Sequence, residues 1–202
     1  MDKRRFLTAT AAGAAAALAA SPSRSATPDA ASARPARGPT LLTVTGAIGA
    51  GNRGPFDPAL DQLMAKQKLS FTKAQTFDFA ALTALPAVTI RPMLEYDAKV
   101  HALAGPLLLD VMKASGARIG DRSVMFVRAI DGYAAQITGA QANERRFILA
   151  THLDGRPMAL GGLGPLWTIY DADRFPDMAG KPLPDRFGSC PWATYHVDVR
   201  EG

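Results

Sequence analysis

Cysteine is almost missing from this sequence, with only Cys190 in 202 residues. One cysteine excludes an intramolecular disulfide, so Cys190 is a buried thiol, a reactive thiol or an intermolecular partner. Histidine is scarce too, with three residues, His101, His152 and His196. A metal centre would need two or three of them to converge, and their spacing carries no local metal signature. No apolar run reaches the roughly 20 residues of a bilayer span, so no stable membrane span is expected. Outside the first residues there is no Lys/Arg-rich run. The formal charge is +5, of which Asp2, Lys3, Arg4 and Arg5 contribute +2. Such scattered charge argues against nucleic acid as a partner. The phosphate-binding and hydrolase signatures G-x-G-x-x-G, G-x-x-x-x-G-K-[ST], H-E-x-x-H and G-x-S-x-G are also absent. Gly161-Gly162-Leu163-Gly164 precedes a strand rather than opening a helix, so it lacks the geometry of a phosphate loop.

The composition that remains, 48% apolar and 20% charged, suits one soluble domain with a real core. The chain opens on Met1-Asp2-Lys3-Arg4-Arg5-Phe6-Leu7, then a small apolar run from Thr8 to Ala20. Small-x-small patterns follow at Ala17-Leu18-Ala19 and near Ser25-Ala26. Residues 1–26 therefore read as an export signal of the twin-arginine type, and the expected location is the periplasm. Residues 27–40 are Ser, Pro, Ala and Arg and cannot bury a core, so a disordered linker is expected. The folded domain is expected to span residues 41–202.

Within the domain, short strands are expected at Leu41–Gly46, Phe71–Phe77, Val88–Tyr96, Ser123–Ile130, Tyr133–Thr138, Phe147–Thr151, Trp167–Tyr170 and Trp192–Val199. Short helices are expected at Pro58–Lys68, from Asp78 to Leu85, from Pro106 to Ser115, and as a polar turn at Gln141–Arg145. Asp171–Phe187 reads as an irregular Pro-rich loop. Asp131-Gly132 and Asp154-Gly155 mark tight reversals, because Asp and Gly tolerate left-handed backbone. The stretch between them reads as hairpin-like. Strands mixed with a few helices, without regular strand–helix–strand alternation, predict an α+β fold with mixed sheets.

A series of short motifs recurs in a distinctive order: Gly105-Pro106-Leu107-Leu108, Asp131-Gly132-Tyr133, Ile148-Leu149-Ala150 followed by Asp154-Gly155-Arg156-Pro157-Met158, Gly164-Pro165-Leu166-Trp167, and a last Trp-containing strand. In order and spacing the chain resembles the molybdopterin-binding domain of the sulfite oxidase family, above all its small, exported, stand-alone members. The resemblance covers roughly residues 40–200. It implies a sulfite-oxidase-like fold, molybdopterin as cofactor, and an exported molybdenum-dependent oxidoreductase or a subunit of one. It also implies a small-molecule ligand and a periplasmic redox or sensor partner.

The family's molybdenum-ligating cysteine would fall within Arg91–Tyr96, at Met93, Leu94 or a neighbour, and none of these is cysteine. The His and Arg of the family's H-G-[FY]-P-[LV]-R motif are replaced by Leu163 and Trp167. The Lys-Trp near the last strand becomes Pro191-Trp192. A phosphate-bearing pterin would then need other cations, such as Arg91, Arg128, Arg156 or Arg186. Asp131, Tyr133, Asp154 and Trp167 carry over by position. The expected cofactor-binding residues are Arg128, Asp131, Tyr133 and Arg156. Turn and core roles account for Asp131 and Tyr133 equally well. No catalytic residue and no metal ligand is assigned. The alternative is a non-catalytic relative that lost the metal-ligating cysteine and now binds a ligand or partner. The Asp57–Lys73 segment reads as an insertion, either a lid or a contact surface.

Overall fold

The computed structural model describes residues 38–202, so the expected export signal and most of the linker lie outside the described residues. In chain order the first elements are β1 (Leu42–Gly46), α1 (Gln62–Lys66), β2 (Gln75–Phe77), α2 (Phe79–Thr83), β3 (Ala87–Ile90), β4 (Leu103–Pro106) and α3 (Leu108–Ala114). Then follow β5 (Val124–Ala129), β6 (Ala134–Thr138), α4 (Gly139–Glu144), β7 (Ile148–Ala150), β8 (His152–Leu153), β9 (Arg156–Pro157), β10 (Trp167–Ile169), α5 (Pro176–Ala179) and β11 (Thr194–Arg200). The architecture is α+β with mixed sheets and a few short helices, as expected.

The largest sheet has the order β2-β1-β11-β5-β6. β1 and β11 pair in parallel, Val44 opposite Val197, while the other pairs are antiparallel. The first and last strands of the domain thus form its centre. Alternation sets the two faces. Val44, Met125, Val127, Ile137, Val197 and Val199 point to the core and are buried. Thr43, Thr45, Arg128, His196 and Asp198 belong to the other face by strand register.

That polar face is only partly solvated, because the segment around α1 and the following residues is tied to it. Gln67 donates to the Ile130 carbonyl at 3.0 Å and accepts from the Tyr195 hydroxyl at 2.8 Å. Lys73 donates to the Ile48 carbonyl at 2.9 Å. The Asp57–Lys73 segment is therefore a fixed cover, and His196 beneath this face is only 1% exposed.

The other sheets are β3-β4-β8-β9 and β10-β7. β4 runs against β7, with Thr151 N–H donating to the Ala104 carbonyl at 2.9 Å. The largest buried side chains, Trp167, Tyr170 and Phe147, lie in and beside this second layer. Fully burying an aromatic ring removes roughly 150–250 Å² from water, so each contributes about 4–6 kcal/mol before its entropy cost.

Four sequence expectations need correction. β6 and β7 do not form a hairpin: β6 pairs with β5, and β7 pairs with β10. Gly105-Pro106 does not open α3 but ends β4, since Gly105 and Pro106 pair with Val88 and Ala87. The expected Val88–Tyr96 strand stops at Ile90, because Pro92 cannot donate to a ladder and the chain turns at Glu95–Asp97. Within Asp171–Phe187, α5 and two short 3-10 turns stand in place of irregular chain. Asp78 does cap α2 as expected, accepting from Ala81 N–H at 2.7 Å.

Candidate functional site

The β5–β6 turn leaves the sheet at Ile130 and presents two side chains at its end. Gly132 sits at φ +96, which the reversal needs and a side chain would resist. The Asp131 carboxylate accepts from the Tyr133 backbone N–H at 2.9 Å and fixes the turn. The Tyr133 hydroxyl donates across to the Gly188 carbonyl. That bond holds the Phe187–Trp192 segment against the turn. From the core side, the Trp167 indole N–H donates to the Cys190 carbonyl at 2.9 Å and fixes the same segment.

The third wall is the loop from Arg91 to His101. Met93 N–H donates to Asp173 at 2.7 Å, and Leu94 is buried. The far end of the loop is held by His101. Its Nδ1 lies 2.7 Å from Asp154 and its Nε2 lies 3.1 Å from Asp97. Asp154 also accepts from Ala102 N–H at 2.9 Å. Hydrogen bonds to Asp154 and then Asp97 push the His101 pKa above its ordinary value, and the two carboxyls are held below theirs. With a carboxylate at each nitrogen, the imidazolium is a clamp rather than a metal ligand.

These three walls enclose a cavity of about 230 Å³. Glu95, Tyr96, Asp131, Tyr133, Cys190 and Trp192 line it, together with Phe187. Burial, followed by the neighbouring Glu95, pushes the Tyr96 hydroxyl up to about 12. Burial pushes the Cys190 thiol up to about 12 as well, so it stays protonated at neutral pH. No lysine, arginine or histidine lines the cavity.

Of the four residues the sequence pointed to, the structure brings Asp131 and Tyr133 together and leaves the two arginines elsewhere. Arg128 follows Val127 and precedes Ala129 on β5, so alternation sends it to the opposite face from Ala129. There it lies opposite His196, its buried Nε without a partner among the described residues. Arg156 is exposed on the small strand β9. Arg186 is held by Asp173 at 2.7 Å and by the Ala179 and Lys181 carbonyls. Glu95, Tyr96, Cys190 and Trp192 were not assigned from sequence. The available signal was that Glu95 and Tyr96 fall inside the segment where the resemblance places a metal-ligating cysteine.

Two other cavities differ in how far their polar groups are engaged, and in the second the buried Asp171 Oδ1 has no partner among the described residues. One of about 370 Å³ lies beside α1 between Leu60, Leu63, Leu160 and Tyr195. Its Arg53 and Asp61 pair with each other, and its Tyr195 hydroxyl is bound to Gln67. The other, of about 280 Å³, holds Arg145, Arg146 and Arg174, with Glu144 and Asp171 interspersed. Arg145 is held by Asp177 at 2.9 Å and by the Tyr170 hydroxyl at 3.1 Å. Among the described residues no group of three or more His, Cys, Asp and Glu is placed to hold a metal ion, and no helix is long and apolar enough to cross a membrane.

The residues around the 230 Å³ cavity do not fit a molybdopterin. The only thiol is buried and protonated, whereas a metal-ligating cysteine is a thiolate. A phosphate-bearing group would meet Glu95 and Asp131 with no lining cation to balance it.

No protein-family model matches the chain, and no curated protein is similar to it in sequence. Among solved structures it is similar to the sulfane dehydrogenase SoxCD from Paracoccus pantotrophus, with a TM-score of 0.51 and 9% identity. The match covers 80% of this chain and 38% of that one. At this identity the likeness is one of fold.

Proposed function

We propose that this chain is an exported, non-catalytic relative of the sulfite oxidase fold that binds a small ligand in the cavity between the Arg91–His101 loop, the Asp131 turn and the Phe187–Trp192 segment. One observation carries the reading. The segment where the resemblance places a metal-ligating cysteine instead supplies Glu95 and Tyr96 to a cavity with no thiolate and no cation. The fold likeness to a sulfane dehydrogenase and the twin-arginine pattern at Arg4-Arg5 favour the second reading, a molybdenum-dependent oxidoreductase or subunit. In either reading the partner is a periplasmic redox or sensor protein.

The test is metal analysis by mass spectrometry, with pterin fluorescence after acid oxidation, on full chain purified from its native host. The expected result is neither molybdenum nor pterin above background. Molybdenum near one atom per chain would overturn the proposal and restore the oxidoreductase.

A further inference from the structure

Among the described residues, the large aromatic side chains that the fold leaves exposed are not scattered. The exposed aromatic ones are Tyr96 (55%), Tyr133 (49%) and Trp192 (37%), and all three line the same 230 Å³ cavity. Phe187, buried, adds a fourth ring to its wall. A soluble surface has no use for three clustered exposed rings unless something covers them. The charged groups at the same cavity are both carboxylates, Glu95 and Asp131, in a chain whose formal charge is +5. Aromatic faces carry negative quadrupole charge and attract cations, most strongly when the cation is weakly hydrated. Rings with carboxylates and no opposing cation are complementary to positive charge and repel anions.

Resting on the proposed binding function, we infer that the ligand of this cavity is a small organic cation of the alkylammonium class. Its ammonium head sits among the Tyr96, Tyr133 and Trp192 rings, with Glu95 and Asp131 balancing the charge. The size agrees: about 230 Å³ lies below the roughly 300–1,000 Å³ of drug-sized sites, so a compact head group fits while a larger molecule stays partly outside. The walls are already in place. Tyr133 is tied to Gly188, Cys190 to Trp167, and Met93 to Asp173, so binding spends little on ordering loops. The protonated Cys190 thiol serves as neutral wall and takes part in no chemistry.

The experiment titrates the full chain with tetramethylammonium chloride and choline chloride. The controls are 3,3-dimethylbutan-1-ol, the neutral isostere of choline, and sodium sulfite. Binding is read from indole N–H signals by NMR, since the chain has two tryptophans, Trp192 at the cavity and the buried Trp167 as fold reporter. The expected result is saturable shifts of Trp192 with the two cations, much weaker shifts with the alcohol, and none with sulfite. Trp192→Leu, read by calorimetry, and Glu95→Gln each weaken binding about five- to thirtyfold. In both, the Trp167 signal stays in place, which shows that the variant is folded.

Equal binding of the alcohol would make the site a plain apolar pocket and overturn the inference, as would preference for sulfite. No cation binding by folded protein free of molybdenum and pterin would overturn this inference alone. Molybdenum in the protein would overturn the binding function on which it rests.

Discussion

At Gly105 the backbone of β4 lies directly against that of β7. A methyl group added there lies 2.0 Å from the Leu149 carbonyl oxygen and 2.8 Å from the Ala150 Cα, both backbone atoms that cannot rotate away. The strands cannot slide apart either, because Thr151 N–H donates to the Ala104 carbonyl at 2.9 Å and Leu108 N–H to the Phe147 carbonyl at 2.8 Å. Gly105→Ala must therefore shift β4 against β7. Overpacking of this kind costs about 1–3 kcal/mol, and the stiffer unfolded chain returns about 0.4–1 kcal/mol. A backbone clash belongs at the upper end, so the net destabilisation is about 2 kcal/mol. For a domain of this size that lowers Tm by roughly 4–8 °C. The assay is thermal unfolding followed by circular dichroism, with urea titration to confirm an unchanged slope. Gly54→Ala is the control, since nothing lies within 4 Å of an added methyl there. If Gly105→Ala melts within about 1 °C of the parent, the close β4–β7 contact is wrong.

The His101 clamp gives a pH dependence with a definite sign. The folded His101 pKa is raised, so its contribution is complete below the unfolded value of about 6.5 and is lost as pH rises through the folded value. The lowered pKa values of Asp97 and Asp154 make their part complete above about 4 and lost as pH falls further. The Tm difference between wild type and His101→Gln should be widest between pH 4 and 6.5 and narrow towards pH 9. A difference that does not change with pH would remove the clamp. His196 behaves in the opposite way. Burial pushes its pKa down to about 4, so the unfolded chain binds the extra proton between pH 6.5 and 4 and stability falls with acid, by on the order of 3 kcal/mol across that window. In an NMR titration of the folded protein, the His196 ring signals should stay in place above pH 5; a midpoint near 6.5 would show the α1 cover to be open.

The α+β class and the Asp131-Gly132 reversal were legible in the sequence because they depend on neighbours along the chain. Alternating apolar residues make β5 and β11, Asp78 caps α2, and Asp-Gly turns the chain. Pairing was not legible. β6 and β7 each read as a strand, but their partners β5 and β10 lie on opposite sides of them in sequence, and each choice depends on which face finds a core. His196 read as structural or surface because strand alternation cannot show that a distant segment covers the polar face.

The sequence by itself determined the local grammar and several absences. One cysteine rules out an internal disulfide, and a missing thiol at Arg91–Tyr96 is plain without coordinates. Only the tertiary structure decided what occupies that place. It brought Glu95 and Tyr96 to Asp131, Tyr133 and Trp192, residues from three separate segments, and it sent Arg128 to the opposite face. The reason is physical. A turn or a cap is fixed by a few adjacent residues, whereas a binding site is fixed by hydrogen bonds and packing between segments far apart in the chain, here Tyr133 to Gly188, Trp167 to Cys190 and Met93 to Asp173.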